Sequence, residues 1–344
     1  MAITAEFTRV ATRLAYRAQQ EALRAPLARA HRMVRVLTRN PLETTRGDGL
    51  EVRRRYRELL ERDLANVEQG LYPARLLFEM PLKDYAKRFP RFLADLPRSA
   101  LRSRRGDYED LPPDVDLRSY PDYYRRNFHW QTDGYFSSRS AALYDVGVEL
   151  LFLGAADVMR RQVIPPVCRH LGATGAAGPL RVLDVACGTG STLRQFAMAF
   201  PGASLHGIDL SPYYAAFARE RLRTANAAIV AENAEAMPYR DAWFDAVVSV
   251  YLFHELPKDA RRAVMREMWR VLRPGGVLVI EDSAQLSDAP DIAGALAAFG
   301  KEMHEPYYAG YVRDDLAAAL TEVGFTVANV EPCFVSKVVT AVKE

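Results

Sequence analysis

An acidic residue at the end of an apolar run, followed by a Gly-x-Gly turn, can hold a cationic ligand against exposed backbone. Residues 182–190 have that form: Val182-Leu183-Asp184-Val185-Ala186-Cys187-Gly188-Thr189-Gly190. Lacking a Cβ, Gly188 and Gly190 let the backbone approach a ligand closely. Such a turn follows a strand at the carboxyl edge of an open α/β sheet, where these sheets bind ligands. A dinucleotide-binding loop would carry a third glycine where this chain has Leu193. Asp184 would also repel a pyrophosphate and attract a cation. Both features disfavour a nicotinamide cofactor and favour a positively charged one.

A second carboxylate closes the next apolar run, Gly207-Ile208-Asp209-Leu210-Ser211. Asp209 lies 19 residues past Gly190 (209 − 190), which suits one βαβ step. There it can accept two hydrogen bonds from a ribose diol. Ser211 before Pro212 has the form of a helix N-cap, and the two roles are compatible. After the fourth apolar run comes Tyr251-Leu252-Phe253-His254-Glu255-Leu256-Pro257. His254 is the candidate general base if an acceptor must lose a proton; the alternative is a histidine that packs or caps. His129 sits in the aromatic stretch Tyr123–Tyr135, and His304 precedes Glu305-Pro306-Tyr307-Tyr308. Either could line a pocket or be an ordinary polar residue. His206, inside a strand, reads as structural, and Cys187 as a small buried residue. The three cysteines, Cys168, Cys187 and Cys333, contain no C-x-x-C. They give neither a disulfide framework nor a zinc site, no metal is expected, and a reducing cytosol fits best.

These residues resemble a known family. The chain looks like a class I S-adenosylmethionine-dependent methyltransferase, nearest to the small-molecule branch that includes quinone and sterol C-methyltransferases. The resemblance covers roughly 178–285 and rests on four motifs in order: Val182–Gly190; Gly207–Ser211; Ala231–Pro238 with Phe244–Val248; and Val271-Leu272-Arg273-Pro274-Gly275-Gly276. Two positions depart from the pattern. Ala186 stands at the family's first glycine, and Asn233 stands where the branch usually has Asp. The resemblance implies S-adenosylmethionine as cofactor, with Asp184, Ala186, Gly188 and Gly190 around its methionine end. It implies Asp209 on the ribose, Leu210 against the adenine, and Asn233 with the backbone of Ala234 at the adenine edge. Tyr251 would lie near the sulfonium, since aromatic faces and oxygen lone pairs suit a cation. With His254 and His129 read from their own positions, the candidate catalytic set is His254, Tyr251 and His129; the resemblance also implies that the segment before the first strand would close over the cofactor.

The elements that must position these residues follow from periodicity. From about 172 onward, short apolar runs alternate with helical patterns: strands at 180–185, 204–210, 227–231, 244–251, 277–281, 325–331 and 334–342. That alternation gives a mainly parallel, Rossmann-like sheet of seven strands with right-handed crossovers. The last two runs are joined by Glu331-Pro332-Cys333, too short for a crossover, so they pair antiparallel. Residues 1–171 form a helical N-terminal region. Val10, Leu14, Leu23 and Leu27 recur at helical spacing, with breaks at Asn40-Pro41 and Arg46–Gly49, and a second helix runs from about 50 to Gly70. Residues 70–125 read as irregular because of seven prolines, with Arg102–Asp110 as an exposed loop, and 138–170 reads as one helix.

The 344 residues suit about two domains. Residues 1–178 hold 30 Lys/Arg and 22 Asp/Glu (+8), and the remainder 16 and 21 (−5), which sum to the net +3. No apolar stretch reaches the ~18 residues of a membrane span, and no secretory leader is evident. The expected protein is a cytoplasmic methyltransferase for a small, hydrophobic or aromatic acceptor. The N-terminal region shapes the acceptor site or makes an oligomer contact such as a homodimer. The rival readings are a nucleic-acid or protein methyltransferase docking through the basic half, and a cofactor-binding regulator without catalysis. Nucleic acid is disfavoured: the fourth run ends Ser249-Val250-Tyr251-Leu252, not in the Pro-Pro-Tyr tetrapeptide of amino-directed base methyltransferases.

Overall fold

The computed structural model describes residues 2–38, 46–174 and 179–344. The break at Asn40-Pro41 and the glycines 175 and 178 lie outside the described residues. The N-terminal half is helical: α1 (Ala2–Thr38), α2 (Arg46–Glu68), α3 (Leu82–Arg105), α4 (Ser138–Leu151), α5 (Ala156–Arg160) and α6 (Ile164–Thr174). The C-terminal half alternates: β1 (Arg181–Val185), α7 (Ser191–Ala199), β2 (Ser204–Asp209), α8 (Pro212–Arg221), β3 (Ala227–Ala231), β4 (Phe244–Val250), α9 (Lys258–Val271) and β5 (Leu272–Ser283). It ends with α10 (Ala293–Glu302), α11 (Tyr308–Tyr311), α12 (Leu316–Val323), β6 (Thr326–Cys333) and β7 (Ser336–Val342).

The strands form one seven-stranded sheet in the order β3-β2-β1-β4-β5-β7-β6. β1 to β5 are parallel, and β7 inserts antiparallel between β5 and β6. The order reverses beside β1, and the Gly-x-Gly turn opens at that switch point.

Alternation along the strands sends successive side chains to opposite faces. Val182, Ala246, Val248, Val277 and Val279 bury against α7, α8 and the N-terminal helices, through Leu59, Leu64, Val158, Val163 and Phe196. Leu183, Val185, Val247, Leu278 and Ile280 bury against α9 and α12, through Val264, Met265, Met268, Leu316 and Leu320. The N-terminal helices thus supply part of one covering layer of the sheet. A buried network locks them together. Asp63 of α2 accepts from Tyr16 (2.5 Å) and Tyr72 (2.5 Å), and pairs with Arg161 at 2.6 Å.

Four local expectations are corrected. Residues 82–105 form a helix despite Pro90 and Pro97. The two prolines are seven residues apart, about two turns, so they share one exposed face. The opposite face anchors the helix: Asp95 takes Thr132 Oγ1 and Arg139 at 2.7 Å each. Arg102 is buried and pairs with Asp110 at 3.0 Å, so it does not open an exposed loop. Helix α2 starts at Arg46 and runs through Gly49. The single helix read over 138–170 is broken after α4, where Leu153 and Gly154 adopt φ of 54° and 87°. Glu149 caps the new start by accepting from the amides of Ala156 and Asp157. On α1, Val10 and Leu14 face solvent at 48% and 62% exposure.

Candidate active site

β1 delivers Asp184 to the carboxyl edge of the sheet, where it is 1% exposed. Its Oδ2 has no partner among the described residues. Burial, then the neighbouring Asp209, push its carboxyl well above the usual range. Burial thus favours its neutral form, and a cation arriving beside it would favour the ionised one. The turn that follows is left-handed at Ala186, Gly188 and Gly190 (φ 60°, 54° and 77°). A Cβ on Gly190 would come within 3.1 Å of Ala218 Cβ, and one on Gly188 would project into open space. Asp209, at the end of β2, accepts from the amides of Gly188 (2.8 Å) and Ser211 (2.9 Å). Burial raises its pKa to about 6, against those two amides. Ser211 caps α8 as expected, through Tyr214 N.

The aromatic segment crosses this edge as a strap. Tyr123 Oη donates to Glu235 at 2.7 Å, and Ser211 Oγ donates to the carbonyl of Tyr135 at 2.5 Å. Trp130 Nε1 donates to Glu302 O at 2.9 Å. Beneath the strap is a cavity of about 110 Å³. Ala186, Gly188, Asp209, Leu210, Asn233, Ala234 and Tyr251 line it, with Tyr124, Tyr135 and Tyr144 above them. The structure therefore brings seven of the nine expected cofactor residues together in one wall. Gly190 supports the turn from below, and Asp184 lies at the strand end before it. Asn233 uses its Oδ1 to accept from Glu235 N at 2.9 Å.

A second cavity, about 1030 Å³, adjoins the first at Gly188, Tyr144, Tyr251 and Glu255. Its far wall is largely apolar and includes Phe92, Leu143, Phe152, Leu296, Phe299 and Phe334. Tyr251 stands at the junction with φ of 60°. Its ring stacks on Phe152 with centroids 5.8 Å apart, and its hydroxyl lies 2.8 Å from Ser336 Oγ.

His254 and His129 both reach this junction. His254 Nδ1 lies 2.6 Å from Asp282 Oδ1. Burial opposes charge on the ring, but Asp282, then Glu305 and Glu255, outweigh it and raise the pKa to about 10. Nδ1 is thus engaged by Asp282, and Nε2 is the ring's other edge. His129 Nε2 lies 2.5 Å from Glu305 Oε1, an ion-pair contact without the alignment of a hydrogen bond. Glu255 accepts from Tyr135 Oη at 2.8 Å, and burial followed by the charge of Glu305 raises its pKa to about 7. His304 lies outside this group, packed between Tyr108 and Trp130. His206 stays structural, edge-on to Phe244.

Sequence reasoning missed Asp282, Glu255 and Glu305 as site residues. Asp282 carried a readable signal: Glu281-Asp282 closes an apolar strand just as Asp184 does. Glu305 carried none beyond its place among aromatics.

Residues 182–276 match the family profile described as a methyltransferase domain. The chain is 30% identical over 181 residues to the malonyl-[acyl-carrier protein] O-methyltransferase of Geobacter sulfurreducens, covering 50% of this chain and 67% of that protein. The chain belongs to the S-adenosylmethionine-dependent methyltransferases. Within this family it is 36% identical over 117 residues to the fatty-acid O-methyltransferase of Mycolicibacterium smegmatis (34% of this chain, 42% of that one). It is 34% identical over 142 residues to the demethylmenaquinone methyltransferase of Deinococcus radiodurans (41% and 55%). The chain spans 42% to 67% of the length of these methyltransferases. No described helix is long and apolar enough to cross a membrane.

Proposed function

We propose that this chain transfers a methyl group from S-adenosylmethionine to a small-molecule acceptor with a bulky apolar body. The observation that carries this reading is the junction of the two cavities at Gly188, Tyr251 and Glu255. The small cavity and the wall it shares with the large one have the groups for a cationic nucleoside cofactor, and the far wall of the large one is apolar. The residues fit the cofactor. The orphaned carboxylate of Asp184 suits its ammonium, the open space above Gly188 suits its close approach, and Asp209 suits its ribose. Bound there, the cofactor supplies an electrophilic methyl on a sulfonium. Asn233 and Ala234 would border its adenine and Leu210 would pack against it. Tyr251, with its ring held by Phe152 and its hydroxyl by Ser336, sets the passage between the cavities. Positioning of this kind carries much of the rate of a bimolecular transfer.

His254, oriented by Asp282, and His129 face the acceptor where its reacting atom must stand. Residues of the strap line both cavities, which supports the N-terminal region as a wall of the acceptor site. The large cavity lies at the upper end of ordinary ligand pockets, about 300–1,000 Å³, which favours a multi-ring or chain-bearing acceptor.

The basic half does not favour a nucleic-acid partner. Arg13, Arg17, Arg54, Arg102, Arg160 and Arg161 are each paired with a carboxylate of the same half. The three free cysteines accord with a reducing, cytoplasmic setting. The experiment is incubation of a cell extract with the full chain and methyl-labelled cofactor, followed by identification of the labelled product. A labelled apolar small molecule is expected. Label confined to RNA or protein would overturn the acceptor class, and cofactor binding with no turnover would favour a regulator.

A further inference from the structure

At the junction of the two cavities, four side chains from three separate segments converge. His129 comes from the strap, His254 and Glu255 from the turn after β4, and Glu305 from the loop before α11. One nitrogen or oxygen of each lies within 4.8 Å of all the others. We propose that these four groups hold a divalent first-row transition cation beside the acceptor cavity.

The donor set is chemically apt. Two imidazoles and two carboxylates suit zinc, iron or manganese. With bonds of about 2.0–2.2 Å, neighbouring donors around such an ion stand roughly 3–3.5 Å apart, so small side-chain rotations close the observed cluster onto a centre. Glu305 is 3% exposed; its Oε1 meets only His129 Nε2, at 2.5 Å, and its Oε2 has no hydrogen bond among the described residues. A buried carboxylate without hydrogen bonds is costly unless a cation meets it. Glu255, Glu305 and Asp282 together place three acids around two imidazoles. Among the described residues no lysine or arginine bonds any of the three.

The outer contacts are those of a metal centre. The Nδ1 of His254 is taken by Asp282, which leaves Nε2 to face the cluster. Ligating histidines almost always have such a partner on their other nitrogen. Tyr135 Oη donates to Glu255 at 2.8 Å and fixes that carboxylate in turn. His129 reaches the cluster only through a left-handed backbone, φ 54°, followed by Trp130 at φ 56°. Strain of this kind at a non-glycine residue is retained where the side chain has a task.

The cluster borders the large cavity. Both His129 and His254 line that cavity together with Glu255. From that side a donor atom of a bound acceptor would complete the shell. This last assignment rests on the acceptor-cavity reading above, but cation binding itself does not.

The test uses the full chain, stripped with a chelator and titrated with zinc and with cobalt. One equivalent is expected to bind, with cobalt giving the visible absorption of a low-coordinate site. Glu305→Gln and His129→Gln are each expected to weaken binding by at least about tenfold, while His206→Gln leaves it unchanged. His129 is partly exposed at the cavity wall, so its variant carries the test if Glu305→Gln folds poorly. Binding of S-adenosylhomocysteine by each variant reports an intact fold. Failure of the stripped chain to bind either metal, or binding that survives both ligand substitutions, overturns the proposal. Metal binding without S-adenosylhomocysteine binding would instead sink the methyltransferase reading and leave the metal site standing.

Discussion

Asp282 orients His254: its Oδ1 meets Nδ1 at 2.6 Å, while its Oδ2 accepts from the amides of Leu252 (3.1 Å) and Phe253 (2.7 Å). One carboxylate at the end of β5 therefore fixes both the turn after β4 and the ring that the turn carries. Asp282→Asn keeps the size but loses the charge. Turnover is expected to fall about 10–100-fold, with S-adenosylhomocysteine affinity unchanged by calorimetry. His254→Ala should behave in the same way. Full activity in both would make the pair structural.

Asp209 ties cofactor affinity to pH. Burial raises its pKa to about 6 in the free protein, although the amides of Ser211 and Gly188 oppose the shift. Only the ionised carboxylate accepts freely from both ribose hydroxyls. Affinity for S-adenosylhomocysteine is therefore expected to be flat above about pH 7 and to fall up to tenfold per unit below about 6. Asp209→Ala should weaken binding strongly at neutral pH and remove this acid limb. Unchanged binding by calorimetry would refute the ribose assignment.

The strap gives a milder prediction. Tyr123 Oη donates to Glu235 at 2.7 Å, and Glu235 in turn donates its amide to Asn233 Oδ1 at 2.9 Å. Tyr123→Phe removes one net hydrogen bond, about 1 kcal/mol, while keeping the ring. S-adenosylhomocysteine affinity should drop about fivefold with little change in thermal stability. A large loss of stability would show that the tyrosine holds the fold and not the lid.

The sheet and half of the site were legible because local signals decide them. The alternating runs specify both faces of the strands, and the glycines at 188 and 190 mark a backbone that other residues rarely adopt. The Asp184 and Asp209 positions follow from strand ends alone. The acceptor side was not legible, because its residues meet only through tertiary packing: His129 and Glu305 are 176 residues apart (305 − 129). Helix α3 was hidden by Pro90 and Pro97, whose local cost is overridden by the buried contacts of Asp95 and Arg102 on the other face. The break at Leu153-Gly154 was hidden for the opposite reason. An apolar pattern continues through it, and the cap from Glu149 that starts the next helix lies upstream of the break.

Asp145 of α4 joins the N-terminal half to the Gly-x-Gly turn. It accepts from Thr189 Oγ1 (2.9 Å) and Ser191 Oγ (3.2 Å), and Arg221 meets it at 2.6 Å. Arg160 stands 3.6 Å away. Burial alone would raise this carboxyl, but Arg221 and Arg160 more than offset it and bring the pKa to about 2, below the ordinary 3.8. A depressed acid stabilises the fold above its unfolded pKa. That contribution, about 2 kcal/mol, is complete above about pH 5 and is lost as pH falls from there toward 2. Asp145→Ala also takes a counter-charge from buried Arg160, which keeps Asp157, and from half-buried Arg221, so a loss of about 3 kcal/mol is expected at neutral pH. Urea unfolding across pH checks both statements. The variant should be less stable at pH 7 and should lose less than the parent between pH 5 and 2. Because Thr189 and Ser191 lose their anchor, cofactor affinity should fall with stability. An Asp145→Ala protein that binds S-adenosylhomocysteine normally would show that the turn holds its shape without the N-terminal half.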